Sequence, residues 1–279
     1  MNQEVNSRIE PIDIKKLFYN KNPKLASLLP GFVYGLIKRI VHVDFVNEIL
    51  EEHGDKRGID FAKAVIQKFN VKVEVKGAEN LPADGRFIFA SNHPLGGFDG
   101  IVLLAVLNNY YPELRFLVND LLMNLRVFDP LFVPINKHGA QSRGNVELIE
   151  EVYAGNAQVL TFPAGLVSRR QKGVIQDLEW KKNFISKAIE YKRDVIPVHF
   201  DGRNTNFFYT LANLRKFFRI KSNLEMFFLP DETFRHRNET ITVIFGKPVP
   251  YTDFNRDKSL KEWAEEIKRK VYKLAEKTV

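Results

Sequence analysis

Cysteine is absent from the 279 residues. That excludes disulfides, thiolate nucleophiles and cysteine-ligated zinc, and it gives no sign of an oxidising compartment. Also missing is the run of ~20 apolar residues needed to span a bilayer. The nearest approach, Leu25 to Val41, is interrupted by Pro30, Gly31, Lys38 and Arg39. The opening residues, Met1-Asn2-Gln3-Glu4-Val5, are polar, so no signal peptide is expected. A membrane encounter would therefore be peripheral, at the cytoplasmic face. There is no Walker loop, no Gly-x-Ser-x-Gly elbow, no dinucleotide fingerprint and no histidine pair at i, i+4. Neither a cofactor nor a metal is expected. Internal repeats and low-complexity linkers are lacking too.

One stretch lacks only a charge sign. From Gly202 to Leu224 there is no acidic residue, yet Arg203, Arg215, Lys216, Arg219 and Lys221 are interleaved with aromatic and aliphatic side chains. A solvated helical face normally mixes signs. This pattern fits a basic amphipathic helix on an anionic lipid surface, where each cation contributes roughly 1 kcal/mol. Phe207, Phe208, Arg215, Lys216, Phe217, Phe218 and Arg219 are the candidate membrane contacts. It equally fits a helix whose aromatics are core and whose cations face water. The same choice attends Leu28 to Ile37, apolar on most faces and followed by Lys38-Arg39. It is either a helix packed on the main domain or an interfacial helix with snorkelling cations.

What is present is an ordinary folded composition, 44% hydrophobic and 27% charged, with a net charge of +8. Disorder is excluded, and an anionic partner is favoured. Residues up to about 70 read as helical, punctuated by Pro11, Pro23, Pro30 and Gly54. Val71–Val75 alternates as a half-exposed strand, and a βα succession follows. Its strands are Arg86–Ala90, Leu114–Val118, Phe132–Ile135, Gln158–Phe162 and Val195–Phe200. Its helices are Asp99–Asn109, a short Asn119–Arg126, Ser142–Tyr153 and Trp180–Tyr191. Thr240–Phe245 reads as a further strand and Ser259–Lys277 as a closing amphipathic helix. This alternation predicts an α/β fold, a mostly parallel central sheet flanked by helices. Residues 1–70 are expected to form an N-terminal helical extension with the capacity to associate with a membrane, and 71–279 the main domain.

The chemistry-bearing stretch is Ser91-Asn92-His93-Pro94-Leu95-Gly96-Gly97-Phe98-Asp99-Gly100, a glycine-rich strand-to-helix loop. A near-neutral imidazole can remove a proton from a hydroxyl and return it to a leaving group. A carboxylate beside it fixes the tautomer and stabilises the imidazolium. His93 is the candidate base and Asp99 its orienting partner. Two other strand-following loops carry cations, Asn136-Lys137 and Gly165 through Ser168-Arg169-Arg170. In a parallel sheet all three loops converge at the C-terminal edge, and an anionic group is their natural ligand. Asp201 and Arg203 could line that edge, although an Asp-Gly turn explains them as well. His199 is expected to be a satisfied core histidine, His138 could touch substrate, and His42, His53 and His236 are expected to be solvated.

Asn92-His93 through Asp99, Val133-Pro134-Ile135-Asn136-Lys137, Phe162-Pro163-Ala164-Gly165 with Ser168-Arg169, and Val195-Ile196-Pro197-Val198 stand in the order of four sequence blocks. Together they resemble the glycerolipid acyltransferase family, whose best-known members are the 1-acylglycerol-3-phosphate acyltransferases. The resemblance spans roughly residues 71–250. It implies that His93 activates an acceptor hydroxyl for attack on an acyl thioester, carried by coenzyme A or acyl carrier protein as co-substrate. It also implies that Asn136, Lys137, Gly165, Ser168, Arg169 and Arg170 hold the anionic head of a lysolipid.

Three departures stand out. Five residues separate His93 from Asp99 where the family usually has four. Ala164 replaces a glutamate, with Val167 where an arginine is usual, and Lys137 replaces another arginine. The chain thus looks more like the branch with hemolysin-like acyltransferases and the O-acyltransferases that make ornithine and glycine lipids. The expected acceptor there is the hydroxyl of an N-(3-hydroxyacyl) amino acid. A 1-acylglycerol-3-phosphate acyltransferase is the alternative. A non-catalytic basic protein for lipid surfaces or nucleic acid is the alternative of another class, although no nucleic-acid partner is expected.

Overall fold

The computed structural model describes residues 11–21, 23–119, 122–135 and 143–276. Five helices come first: α1 (Ile14–Lys21), α2 (Pro23–Leu28), α3 (Gly31–Val41), α4 (Val43–His53) and α5 (Gly58–Lys68). They lead into β1 (Lys72–Lys76), β2 (Phe87–Ser91), α6 (Gly97–Leu107), β3 (Leu114–Asn119), β4 (Phe132–Ile135), α7 (Arg143–Ala154) and β5 (Gln158–Thr161). A small hairpin, β6 (Arg169–Gln171) and β7 (Val174–Gln176), precedes α8 (Asn183–Tyr191) and β8 (Asp194–Phe200). The chain closes with α9 (Asn206–Phe217), α10 (Leu229–Arg235), β9 (Thr240–Phe245) and α11 (Leu260–Glu276).

The central sheet has seven strands in the order β1-β9-β8-β2-β5-β3-β4. Every neighbouring pair is parallel except β8 with β9. This is the expected α/β fold. The stretch expected as a short helix, Asn119–Arg126, forms only 3₁₀ turns in its described part, Leu122–Asn124 and Arg126–Phe128.

Strand alternation sorts the core into two layers. Phe87 and Phe89 of β2 join one buried cluster with α5 and α6, while Ile88 and Ala90 join the opposite cluster with α7, α8 and α11. Ile49, Leu50, Phe61, Ala62 and Val65 belong to the first cluster, so α4 and α5 share the core of the sheet. Helix α6 is buried on most of its circumference, which its unbroken Ile101–Leu107 run requires.

A fully buried cation organises the end of α7. Arg193 is 0% exposed, and its guanidinium donates to the carbonyls of Tyr153 (2.7 Å), Ala157 (2.9 Å), Gly155 (2.6 Å) and Val152 (3.2 Å). With no carboxylate beside it among the described residues, burial pushes the guanidinium down to about 10. Arg193→Met strips the charged donor from these carbonyls and from that of Phe87 (3.5 Å). We expect a loss of about 3 kcal/mol, read from urea unfolding midpoints.

Candidate active site

β2 lies between β8 and β5, so the loop leaving it runs between the loops leaving those two strands. Asn92 ties two of them together. Its Nδ2 donates to the Phe200 carbonyl (2.9 Å) and its Oδ1 accepts the Phe200 N–H (2.7 Å). Asn204 Nδ2 donates to the Pro94 carbonyl (2.9 Å). The main chain of His93 is held at both ends: its N–H donates to Asp177 Oδ1 (3.2 Å) and its carbonyl accepts from the Ser168 N–H (2.8 Å).

On this frame His93 Nδ1 meets Asp99 Oδ2 at 2.9 Å. The imidazole stacks on Phe162, with centroids 4.1 Å apart and planes at 15°. Asp99 is fully buried and also accepts the N–H groups of Leu95 (3.0 Å) and Gly96 (3.2 Å). It therefore caps the first turn of α6 as well as facing the imidazole. Burial pushes its carboxyl upward, opposed by the His93 hydrogen bond and the two amides. With Asp99 ionised, His93 carries its proton on Nδ1, and the Nε2 lone pair remains for a substrate.

The extra residue between His93 and Asp99 is absorbed at one position. Gly96 has φ 93° and ψ −139°, backbone that only glycine adopts without strain, whereas Gly97 already begins α6. A side chain at Gly96 would also press on Leu229 at 3.2 Å.

The other expected site residues divide. Gly165 turns with φ +64°, and Lys181 Nζ lies 3.7 Å from where its Cβ would stand. Ser168 is buried and donates to Asp177 Oδ1 (2.6 Å). Arg169 is buried too. Its Nη2 donates to Glu225 Oε1 (2.9 Å) and its Nη1 to the Val167 carbonyl (2.6 Å), so its donors face the protein. Arg170 is half-exposed; it bonds to Asn206 Oδ1 and lies over the Tyr209 ring at 5.3 Å. Asn136, Lys137 and His138 lie outside the described residues.

The membrane candidates divide as well. Phe217 is 79% exposed, and Phe218 and Phe207 are more than half exposed. Phe208 is corrected: it is fully buried with Val167 and Tyr209, because its face of α9 packs on β6 and on the 3₁₀ turn Leu224–Phe228. Arg215 is corrected as well, since its Nε donates to the buried Glu225 Oε2 at 2.9 Å. Lys216 and Arg219 remain exposed.

Four histidine expectations change. His199 is buried, but its Nδ1 has no hydrogen-bond partner among the described residues, so it is not satisfied there. His42 Nε2 pairs with Asp231 Oδ1 (2.8 Å) and its ring stacks on Phe234 at 3.6 Å. His236 and His53 face Glu239 and Glu52. None of these three is simply solvated.

Asp177 is the residue that sequence reasoning missed. It is 1% exposed, and Oδ2 accepts Trp180 Nε1–H (2.9 Å) while Oδ1 takes Ser168 and the His93 amide. Its own N–H donates to Tyr272 Oη (2.7 Å), linking α11 to the His93 loop. Burial pushes the Asp177 carboxyl upward against these donors. In Val174-Ile175-Gln176-Asp177-Leu178-Glu179 nothing marks it, because its partners come from distant segments.

An acyltransferase family model matches residues 16–278, nearly the whole chain. The chain belongs to that acyltransferase family. It is 52% identical over 264 residues to a lyso-glycine lipid O-acyltransferase of Bacteroides thetaiotaomicron, covering 94% of this chain and 97% of the relative. A protein of the same description from Phocaeicola vulgatus is 48% identical over 264 residues, covering 94% and 95%. Among solved structures, the 1-acyl-sn-glycerophosphate acyltransferase PlsC of Thermotoga maritima matches with a TM-score of 0.49 at 20% identity, over 92% of this chain and 89% of that one. The acyltransferase is thus an enzyme. Among its described residues no helix is long and apolar enough to cross a membrane.

Proposed function

We propose that this acyltransferase moves a fatty acyl group from a thioester, on coenzyme A or acyl carrier protein, to the hydroxyl of an N-(3-hydroxyacyl)glycine-type lysolipid. The observation that carries the chemistry is the His93–Asp99 pair, with Nε2 left free by the Nδ1 contact. The names of the two relatives support the acceptor.

In this reading His93 Nε2 takes the acceptor's hydroxyl proton as the oxygen attacks the thioester carbonyl. The C–S bond then breaks, and the proton held on Nε2 passes to the leaving thiolate. Asp99 stabilises the imidazolium formed between the two transfers. The acceptor's carboxylate meets Arg170 on β6, Arg203 in the loop after β8 and Lys181 just before α8, rather than the internally paired Arg169. Lys137 and Asn136 keep the role that the family resemblance implies for them.

A cytoplasmic membrane surface is the proposed workplace. Phe217, Phe218, Lys216 and Arg219 at the end of α9 form one exposed apolar and cationic group. Leu28, Phe32 and Leu36 form another, on and just before α3. Helix α10 joins them, packing on α3 and on the 3₁₀ turn Leu224–Phe228 that in turn packs on α9. The same α10 begins at Leu229, against Gly96.

Purified protein given an acyl thioester and, in parallel, N-(3-hydroxyacyl)glycine or 1-acylglycerol-3-phosphate tests the acceptor. The amino-acid lysolipid should show the higher kcat/KM by tenfold or more, about 1.4 kcal/mol in the transition state. A preference for the glycerophosphate would move the assignment to the alternative.

A further inference from the structure

A polar pocket lies between α3, α4 and α10 and has no part in the chemistry above. Its volume is ≈470 Å³, and its walls include Lys38, Arg39, His42, Phe45, Phe234 and Arg237. Two acids also line it, but each has a lysine: Asp44 pairs with Lys38 (2.8 Å) and Glu48 with Lys68 (3.4 Å). Asp231, beside the pocket, pairs with His42 and Arg235.

Arg237 has no such partner among the described residues. Its guanidinium carbon lies 3.9 Å from the centroid of Phe234 and 5.4 Å from that of Phe45, and its Nε is buried without an acceptor. Leaving a buried charged donor unmet costs ~1–3 kcal/mol or more, of which cation–π contact recovers part. The aromatic contacts hold the guanidinium in place, and its planar fork suits the oxygens of a phosphate. Arg39 supplies a second cation with no carboxylate partner among the described residues.

The position of the pocket says where the phosphate comes from. Gly35, Lys38, Arg39 and His42 follow the i, i+3, i+4, i+7 spacing of one helical stripe, and all line the pocket. Phe32 and Leu36 occupy the adjoining stripe and are 75% and 54% exposed. If those two side chains enter the acyl layer, the pocket mouth sits at the level of the headgroups. Gly35 leaves that wall low, with open space where a Cβ would stand.

We propose that this pocket binds the phosphate of an anionic bilayer phospholipid, a molecule other than the lysolipid being acylated. The proposal rests on the reading that the enzyme works at a lipid surface.

The test is cosedimentation of the full chain with vesicles of phosphatidylcholine alone, and of about four parts phosphatidylcholine to one of phosphatidylglycerol. Arg237→Gln should lower the partition onto the anionic vesicles about tenfold, the loss expected for a charge-assisted phosphate contact. Lys273→Gln removes the same charge from an exposed position on α11 and should stay close to wild type. Gly35→Gln fills the mouth without touching Arg237 and should likewise lose the preference for anionic over neutral vesicles. It serves if Arg237→Gln melts early.

Equal losses in Arg237→Gln and Lys273→Gln would overturn the site, because net charge alone would then explain the binding. Wild-type binding that is indifferent to phosphatidylglycerol would do the same. A rise in Tm with inorganic phosphate, present in wild type and absent in Arg237→Gln without any vesicle effect, would reassign the pocket to soluble phosphate. Acyl transfer in neutral detergent micelles separates this site from the catalytic reading. There Arg237→Gln should keep its kcat/KM, whereas an error in the catalytic assignment would surface in variants of His93.

Discussion

His93→Ala lowers kcat for acyl transfer by about 10²–10⁴-fold, the usual worth of a positioned general base. The fold should survive the change. The imidazole is held through its ring by Asp99 and Phe162, while its main-chain bonds to Asp177 and Ser168 do not depend on the side chain. Asp99 keeps the Leu95 and Gly96 amides, so α6 retains its cap. A folded His93→Ala protein with wild-type turnover would remove His93 from the chemistry. The same pair sets a pH dependence. Burial raises the Asp99 carboxyl above the usual carboxylate range, and protonated Asp99 can no longer stabilise an imidazolium. The acid limb of kcat/KM should therefore rise with pH, with Asp99 ionising above the ordinary value. Asp99→Asn should lower the plateau, because the amide can hold the wrong tautomer of His93.

Glu225→Ala should cost about 3–5 kcal/mol of stability, the penalty for removing one partner of a buried ion pair. Glu225 is 0% exposed and bridges Arg169 Nη2 and Arg215 Nε, each at 2.9 Å. Its loss strands Arg169, which burial already pushes below its ordinary value and Glu225 holds up. Glu225→Gln keeps an acceptor without the charge and should fall between wild type and alanine. Urea midpoints at constant m measure the series. A loss under about 1 kcal/mol would mean that desolvation of the triad cancels its attraction. Because β6 adjoins Ser168, whose N–H bonds to the His93 carbonyl, Glu225→Ala should also reduce turnover at temperatures where the protein remains folded.

Much of the fold was legible in periodicity. Alternation in Thr240–Phe245 and the short apolar runs Arg86–Ala90 and Val195–Phe200 mark strands, because side chains on a pleat face opposite layers. What periodicity leaves open is direction: β9 runs antiparallel to β8, and no local pattern distinguishes that from a parallel neighbour. The His93–Asp99 spacing raises the question of the extra residue, and only the φ 93° of Gly96 answers it. The acid-free stretch shows the same division. Its charge pattern marks a surface helix, but Phe208 is buried against Val167 from a distant loop, and Arg215 is captured by Glu225, a residue just outside the stretch.

By itself the sequence determined the α/β class, the strand-to-helix loop that carries His93, and membership of an acyltransferase family through four ordered blocks. These are local properties, written in spacing and residue type within a few turns of chain. Tertiary structure decided which cations face solvent and which are internally paired, sending Arg169 inward to Glu225 and leaving Arg170 at the edge. It also decided that Asp177, unmarked in sequence, holds the His93 amide, and that Arg237 lies over two phenylalanines with no carboxylate partner among the described residues. Such pairings join residues tens to hundreds of positions apart. Their energies depend on burial and on partners met only once the chain has closed on its core.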